Sequence, residues 1–251
     1  PAQKDPELAK RALRTLGEFN LSNMHGRLLP FIVHGVMRYL DHERDEIRLC
    51  AAETCARVLL KVSSHWGKGE KVSSTDKAAR GSAVLKSKTL TLTDRMQRDE
   101  GYASLITQRL LLAGVADKHR PLRESVLTII ASDSRFDVYL SIPRNMRAVV
   151  LAMKDESIRV KRAAVSILSR LAMDHPQQAM PSLRRMLLHV IEELQNLYAT
   201  LLLDGETEYR HGQYAAPSPM IDSSSIDNYQ RRLMDASLLL GDLIHATTVS
   251  A

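Results

Sequence analysis

Asp155-Glu156-Ser157-Ile158-Arg159, followed by Val160 to Met173, decides the fold class of this chain. An acidic turn leads into an aliphatic-Arg pair, and a helix with one apolar face follows. Val160, Ala164, Ile167, Leu168 and Leu171 recur at the spacing of a single helical face, while Arg159, Arg162, Ser166 and Arg170 occupy the other side. The helix is expected to stop before Asp174-His175-Pro176, because proline disfavours a helical residue ahead of it. Two more stretches carry the same design: Asp117-Lys118-His119-Arg120-Pro121-Leu122-Arg123, and Asp41 through Asp45-Glu46-Ile47-Arg48. An amphipathic helix cannot bury its stripe alone, so a repeated helix-turn-helix unit must stack on its neighbours, and such a solenoid works by holding partners.

Each copy has a helix upstream. Leu28 to Leu40 precedes the first acidic turn, Tyr102 to Val115 the second and Asn145 to Met153 the third. Gln177 to Tyr198 opens a fourth pair, with Pro181 in its first turns, and its second helix is expected from about Asn228 to Ala246. Pro6 to Phe19 reads as the second helix of a truncated pair, with Gly17 marking its end. In the helix after the first turn, Ile47, Ala51, Cys55, Val58, Leu59 and Val62 face inward, and Glu53 with Arg57 forms an i, i+4 pair outside. An Asp ahead of each helix suits its free N–H groups. The Arg after the aliphatic anchor is expected to reach such an Asp in its own or a neighbouring turn, making a ladder.

Ile158-Arg159 lies 36 residues after Leu122-Arg123, which lies 75 after Ile47-Arg48. The shorter interval fits a helical-hairpin repeat of about 35–47 residues, and the longer one fits that repeat plus an insertion. Insertions are expected at 63–98, rich in Ser, Thr, Lys and Gly, and at 204–227, with Gly205, Gly212, Pro217, Pro219 and Ser223-Ser224-Ser225. Both read as exposed, flexible loops. The expected fold is all-α: an α-solenoid of about four to five helical hairpins, the first truncated, forming a single segment over 1–251.

Composition agrees. The chain is 44% hydrophobic but only 4% aromatic, so its core is aliphatic and suits close-packed helices. The net charge is +6, and a net +4 of it falls within residues 65–88, which reads as a solvated loop rather than a nucleic-acid surface. Cys50 and Cys55 stand roughly 140° apart around one helix. They read as small buried thiols in a reduced compartment. Asn20-Leu21-Ser22 matches the glycosylation pattern, but no signal peptide opens the chain and no apolar run reaches membrane-spanning length. The Pro1 start reads as an internal piece of something larger.

No catalytic motif emerges. Gly67-Lys68-Gly69 lacks the spacing and the Ser or Thr of a phosphate-binding loop. His119-Arg120-Pro121 carries proline where a kinase catalytic loop needs aspartate. The histidines are scattered; His34 and His189 read as surface or core-edge residues, and Met173, Met180 and Met186 as core filler. Catalytic, cofactor-binding and metal-ligating residues are expected to be none. Ser218-Pro219 offers a proline-directed phosphorylation pattern, for which a flexible loop is the plainer account.

Several blocks resemble a known family. Ala12-Leu13-Arg14-Thr15-Leu16-Gly17-Glu18-Phe19 and Glu46-Ile47-Arg48-Leu49-Cys50-Ala51-Ala52-Glu53-Thr54-Cys55-Ala56-Arg57 resemble segments of the target of rapamycin (TOR) serine/threonine protein kinases. So do Arg135-Phe136-Asp137, Met180-Pro181-Ser182-Leu183-Arg184-Arg185-Met186-Leu187 and Arg232 to Leu243, in the family's order. The resemblance implies HEAT-type hairpins from the family's N-terminal region, a scaffold that shapes the kinase dimer and helps bind accessory subunits. The implied partners are a raptor-like subunit, the rest of the kinase chain and a second protomer, with no nucleic acid and no membrane insertion. The implied setting is a growth-signalling complex in the cytoplasm, recruited to the lysosome or vacuole surface. The ATP and Mg of the parent kinase would bind outside these residues. The alternative is a HEAT scaffold of another kind, such as a nuclear transport receptor or a phosphatase scaffold.

Overall fold

A computed structural model describes residues 6–19, 25–63, 82–211 and 223–249. Among these residues the regular structure is helical throughout, with no strand. The helices are α1 (Pro6–Glu18), α2 (His25–Phe31), α3 (Asp45–Ser63), α4 (Ser82–Ala116), α5 (Arg120–Ser132), α6 (Asp137–Leu140), α7 (Pro143–Ala152), α8 (Ile158–Asp174), α9 (Pro176–His211) and α10 (Ser223–Val249). This is the all-α, hairpin-by-hairpin packing of a solenoid. The chain divides into two compact units, Pro1–Ala148 and Val149–Ala251, with the division falling inside α7 rather than in a linker.

In the first unit α3 is the central helix, packed by α1, α4 and α5. That position explains its composition. The expected stripe of Ile47, Ala51, Cys55, Val58, Leu59 and Val62 is buried, and so are Cys50, Ala52, Thr54 and Ala56 on the remaining faces. The small Thr54 lets α1 approach closely. The Thr54 hydroxyl lies 2.8 Å from the Leu13 carbonyl oxygen of α1. Gly17, expected to end α1, sits buried in its last turn against Thr54. The Lys61 ammonium donates to the carbonyls of Gly17 and Phe19, 2.6 and 3.0 Å away, closing the C-terminal end of α1. A second close approach lies at Gly114 of α4, where a Cβ would stand 3.1 Å from Val126 and Leu127 side-chain atoms of α5.

In the second unit α8 plays the same part between α9 and α10. Val160, Ala164, Ile167, Leu168 and Leu171 are buried as the periodicity predicts, joined by Ala163, Val165 and Ala172. Burying a large aliphatic side chain is worth about 1.5–3 kcal/mol before chain entropy is subtracted, so these stripes carry much of each unit's cohesion.

Four elements depart from the sequence reading. Residues 28–40 do not form one regular helix: α2 passes into a π turn over Ile32–Val36 and a 3-10 turn over Met37–Asp41. Helix α4 begins at Ser82, so 82–98, read from composition as part of a flexible insertion, are helical. Likewise α9 continues to His211 and α10 starts at Ser223. The rest of both insertions, 64–81 and 212–222, lies outside the described residues, as do Ser218-Pro219 and Asn20-Leu21-Ser22. Met173 is 64% exposed rather than core filler, because it falls off the buried stripe of α8; Met180 and Met186 are buried.

Candidate scaffold joints and a basic cleft

The repeated acidic turns form the joints between helices. The best formed gathers around Arg48. Its Nε and Nη2 donate to Asp117 Oδ2 and Oδ1 at 2.8 and 2.9 Å, and Nη2 also donates to Asp45 Oδ1 at 2.7 Å. Its Nη1 donates to the carbonyls of His42 and Glu43 at 2.9 and 3.1 Å. All five guanidinium N–H donors therefore have an acceptor, which a buried arginine requires. The Arg48 side chain is 7% exposed and that of Asp117 is 10%. The expected ladder exists here, and it joins the start of α3 to the turn between α4 and α5.

Asp117 does a second task. Its Oδ1 accepts the His119 backbone N–H at 2.7 Å. Asp155 repeats this with the Ser157 N–H at 2.8 Å. In the first turn the acceptor is His42 Nδ1, which takes the Arg44 N–H at 3.1 Å. The acidic residue thus shapes the turn leading to the N-cap instead of capping the first helical N–H groups; the N-caps are His119 and Ser157, and neither side chain makes a capping bond. Burial pushes the Asp117 carboxyl up, but the hydrogen bonds from Arg48 and the His119 N–H, with the charge of Arg48, outweigh it and hold the group below the usual carboxylate range. The hydrogen bond to Asp117 raises Arg48 further.

These turn bonds fix the register of the repeat. Aligned on His42, Asp117 and Asp155, the apolar anchors are Ile47, Leu122 and Val160, each 2% exposed or less. The basic partners are Arg48, Arg123 and Lys161. Arg123 confirms the alignment: its Nη1 donates to the Asp117 carbonyl at 2.8 Å, six residues back, as Arg48 does to His42. The interval is therefore 38 residues, not 36, and Ile158-Arg159 is not the third copy of the pair. Ile158 is only part-buried and Arg159 is exposed.

Arg135, from the Arg135-Phe136-Asp137 block, secures the region after α5. It binds both carboxylate oxygens of Asp133 at 2.9 and 2.6 Å and the Leu60 carbonyl of α3, beside the buried Phe136 in sequence. In the second unit the ties are exposed ones: Arg162 to Asp242 at 2.6 Å and Arg232 to Glu193 at 3.3 Å.

The second unit also holds an open cleft of about 620 Å³ between the end of α7, the first turns of α8 and one face of α9. Lys154, Lys161, Arg185, His189 and Glu192 line it around Met153 and Met186. The sequence patterns did not single it out, because its residues come from three helices and share no local motif. His189 stands on this rim, exposed; His34 is exposed and meets the Tyr102 ring edge-on with centroids 6.4 Å apart.

Among the described residues no three His, Cys, Asp or Glu side chains come together as metal ligands. Burial pushes the Cys55 thiol up to about 12, which leaves it a packed hydrophobe with little thiolate. No described helix is long and apolar enough to cross a membrane.

No protein-family model matches the chain. It is similar to serine/threonine-protein kinase tor1 of Schizosaccharomyces pombe, 31% identical over 76% of this chain and 7% of that protein. It is also similar to TOR of Arabidopsis thaliana, 28% identical over 78% of the chain, and to mTor of Drosophila melanogaster, 27% identical over 73%. The chain spans 6–7% of the length of these relatives.

Proposed function

We infer that this chain, a segment of a TOR-family protein, is a non-catalytic helical scaffold within the family's N-terminal HEAT region. On this reading it supports the architecture of a kinase dimer and the binding of accessory subunits, including a raptor-like one, in a growth-signalling complex. The full protein would transfer phosphate from ATP and Mg to serine or threonine through residues outside this chain. The complex would act in the cytoplasm and at the lysosome or vacuole surface.

The observation that carries the reading is where the polar chemistry lies. The best-connected cluster, Arg48 with Asp45 and Asp117, is spent on joining helices. A side chain saturated by five internal hydrogen bonds serves rigidity and has no donor left for a substrate. Rigid stacked helices with outward-facing clefts are what solenoids offer to partners.

The test uses the full-length protein. Deleting residues 25–249 should abolish co-purification of the accessory subunit while phosphorylation of a short peptide persists. Unchanged subunit recovery would refute the reading, as would phosphate transfer by the 251-residue chain alone.

A further inference from the structure

Lys161 occupies the repeat position at which Arg48 and Arg123 fold back onto turn carbonyls. It makes no such bond and instead lines the cleft of the second unit. Lys154 and Arg185 join it there, and among the described residues none of the three has an ion-pair partner. Three permanent cations thus face one lining carboxylate, Glu192. The lining between them is apolar, with Leu188 exposed and Val150 half-buried beside the buried Met153 and Met186. Ser182, Arg185, Met186, His189 and Glu192 follow the i, i+3, i+4, i+7, i+10 stripe of α9, which is about 15 Å long at the helical rise.

We propose that this cleft is a docking site for an acidic peptide segment of a partner protein, carrying an apolar anchor beside its carboxylates. The proposal rests on the scaffold reading above and names the kind of partner. Charge complementarity selects the acidic occupant. Leu188 and Val150 call for an apolar anchor, since apolar surface left in water gains by being covered. The length suits two to three turns of a docked helix. A small polyanion would satisfy the rim but would leave Leu188 and Val150 uncovered.

The test is fluorescence anisotropy on the full chain. The probe is a labelled amphipathic peptide with Glu on one face and Leu on the other. Binding should weaken with added salt. It should fall at least about tenfold in the double variant Lys161→Glu/Arg185→Glu, which corresponds to about 1.4 kcal/mol. The control Arg11→Glu/Lys118→Glu makes the same charge change on exposed residues of the first unit and should stay within about twofold of the parent. Thermal melting of each variant checks that it is folded.

Absence of peptide binding overturns the proposal, as does an equal loss in the control, which would mean attraction to net charge alone. Tight binding of inositol hexakisphosphate with none of the peptide would also overturn it, in favour of a small polyanion. In the full-length protein, the double variant should lose the acidic partner yet keep the kinase dimer. Loss of dimer and accessory subunits on deleting 25–249, with no effect of the double variant on any partner, would sink the cleft and spare the scaffold.

Discussion

The Arg48 joint and the equivalent place at Lys161 started from the same plan and end in opposite states. Both follow an acidic turn and a buried aliphatic anchor, Ile47 or Val160. In the first unit the cation is drawn inside and saturated, its side chain 7% exposed. In the second it is a lysine left on a cleft rim, and the helices are tied by exposed pairs such as Arg162 with Asp242. A guanidinium can satisfy a ring of carbonyls and carboxylates from inside the protein, whereas a compact, strongly hydrated ammonium favours staying wet. One repeat position can therefore serve cohesion in one place and recognition in another.

The largest expected effect breaks the first joint. Arg48→Ala strands Asp117 with its charge desolvated and should cost about 3–5 kcal/mol, read as a lower urea midpoint; Lys161→Ala should stay within about 0.5 kcal/mol. Equal losses would erase the distinction. Replacing both partners, Arg48→Met with Asp117→Leu, should be milder than Arg48→Ala, because no lone charge remains buried.

The anchors should behave alike where the cations do not. Leu122→Ala removes a fully buried side chain and should cost about 2–5 kcal/mol. Val160→Ala should also destabilise, scaled to its smaller volume. A harmless Val160→Ala would mean that the 38-residue register is misplaced.

The acid response sharpens the contrast further. The Asp117 carboxyl is held below its ordinary value in the folded state, so its stabilising contribution is full above the unfolded value and is lost as pH falls through the folded one. Stability of the first unit should decline below about pH 4, and the decline should be shallower in Arg48→Ala. The smallest effect belongs to the exposed pair Arg57 and Glu53, 3.2 Å apart, where Arg57→Ala should cost about 0.3–0.5 kcal/mol.

Much of this arrangement was legible in the sequence, and the misreadings have physical causes. The α3 and α8 stripes followed from periodicity alone. The other buried faces of α3 did not, since Ala52, Thr54 and Ala56 look solvent-compatible until neighbouring helices cover them, α1 in the case of Thr54. The third joint was ambiguous because Ile158-Arg159 and Val160-Lys161 are tandem aliphatic-basic pairs two residues apart. Periodicity accepts either; only the Asp155-to-Ser157 turn bond chooses. The start of α4 was hidden by its Ser, Thr and Lys content, which reads as loop where no apolar stripe is visible. The cleft was invisible because it exists only once α7, α8 and α9 meet.

The π turn at Ile32–Val36 has a consequence for how this protein can change over generations. Its wider ring holds one residue more than an ordinary helical turn would. Losing one residue there would let Ile32–Val36 close into plain α-helix between the buried Leu28 and Leu29 before it and the 3-10 turn carrying Leu40 after it. The turn is thus a slot in which chain length can drift by one, sparing the first unit a frameshift in packing that a deletion inside α3 would impose on every layer.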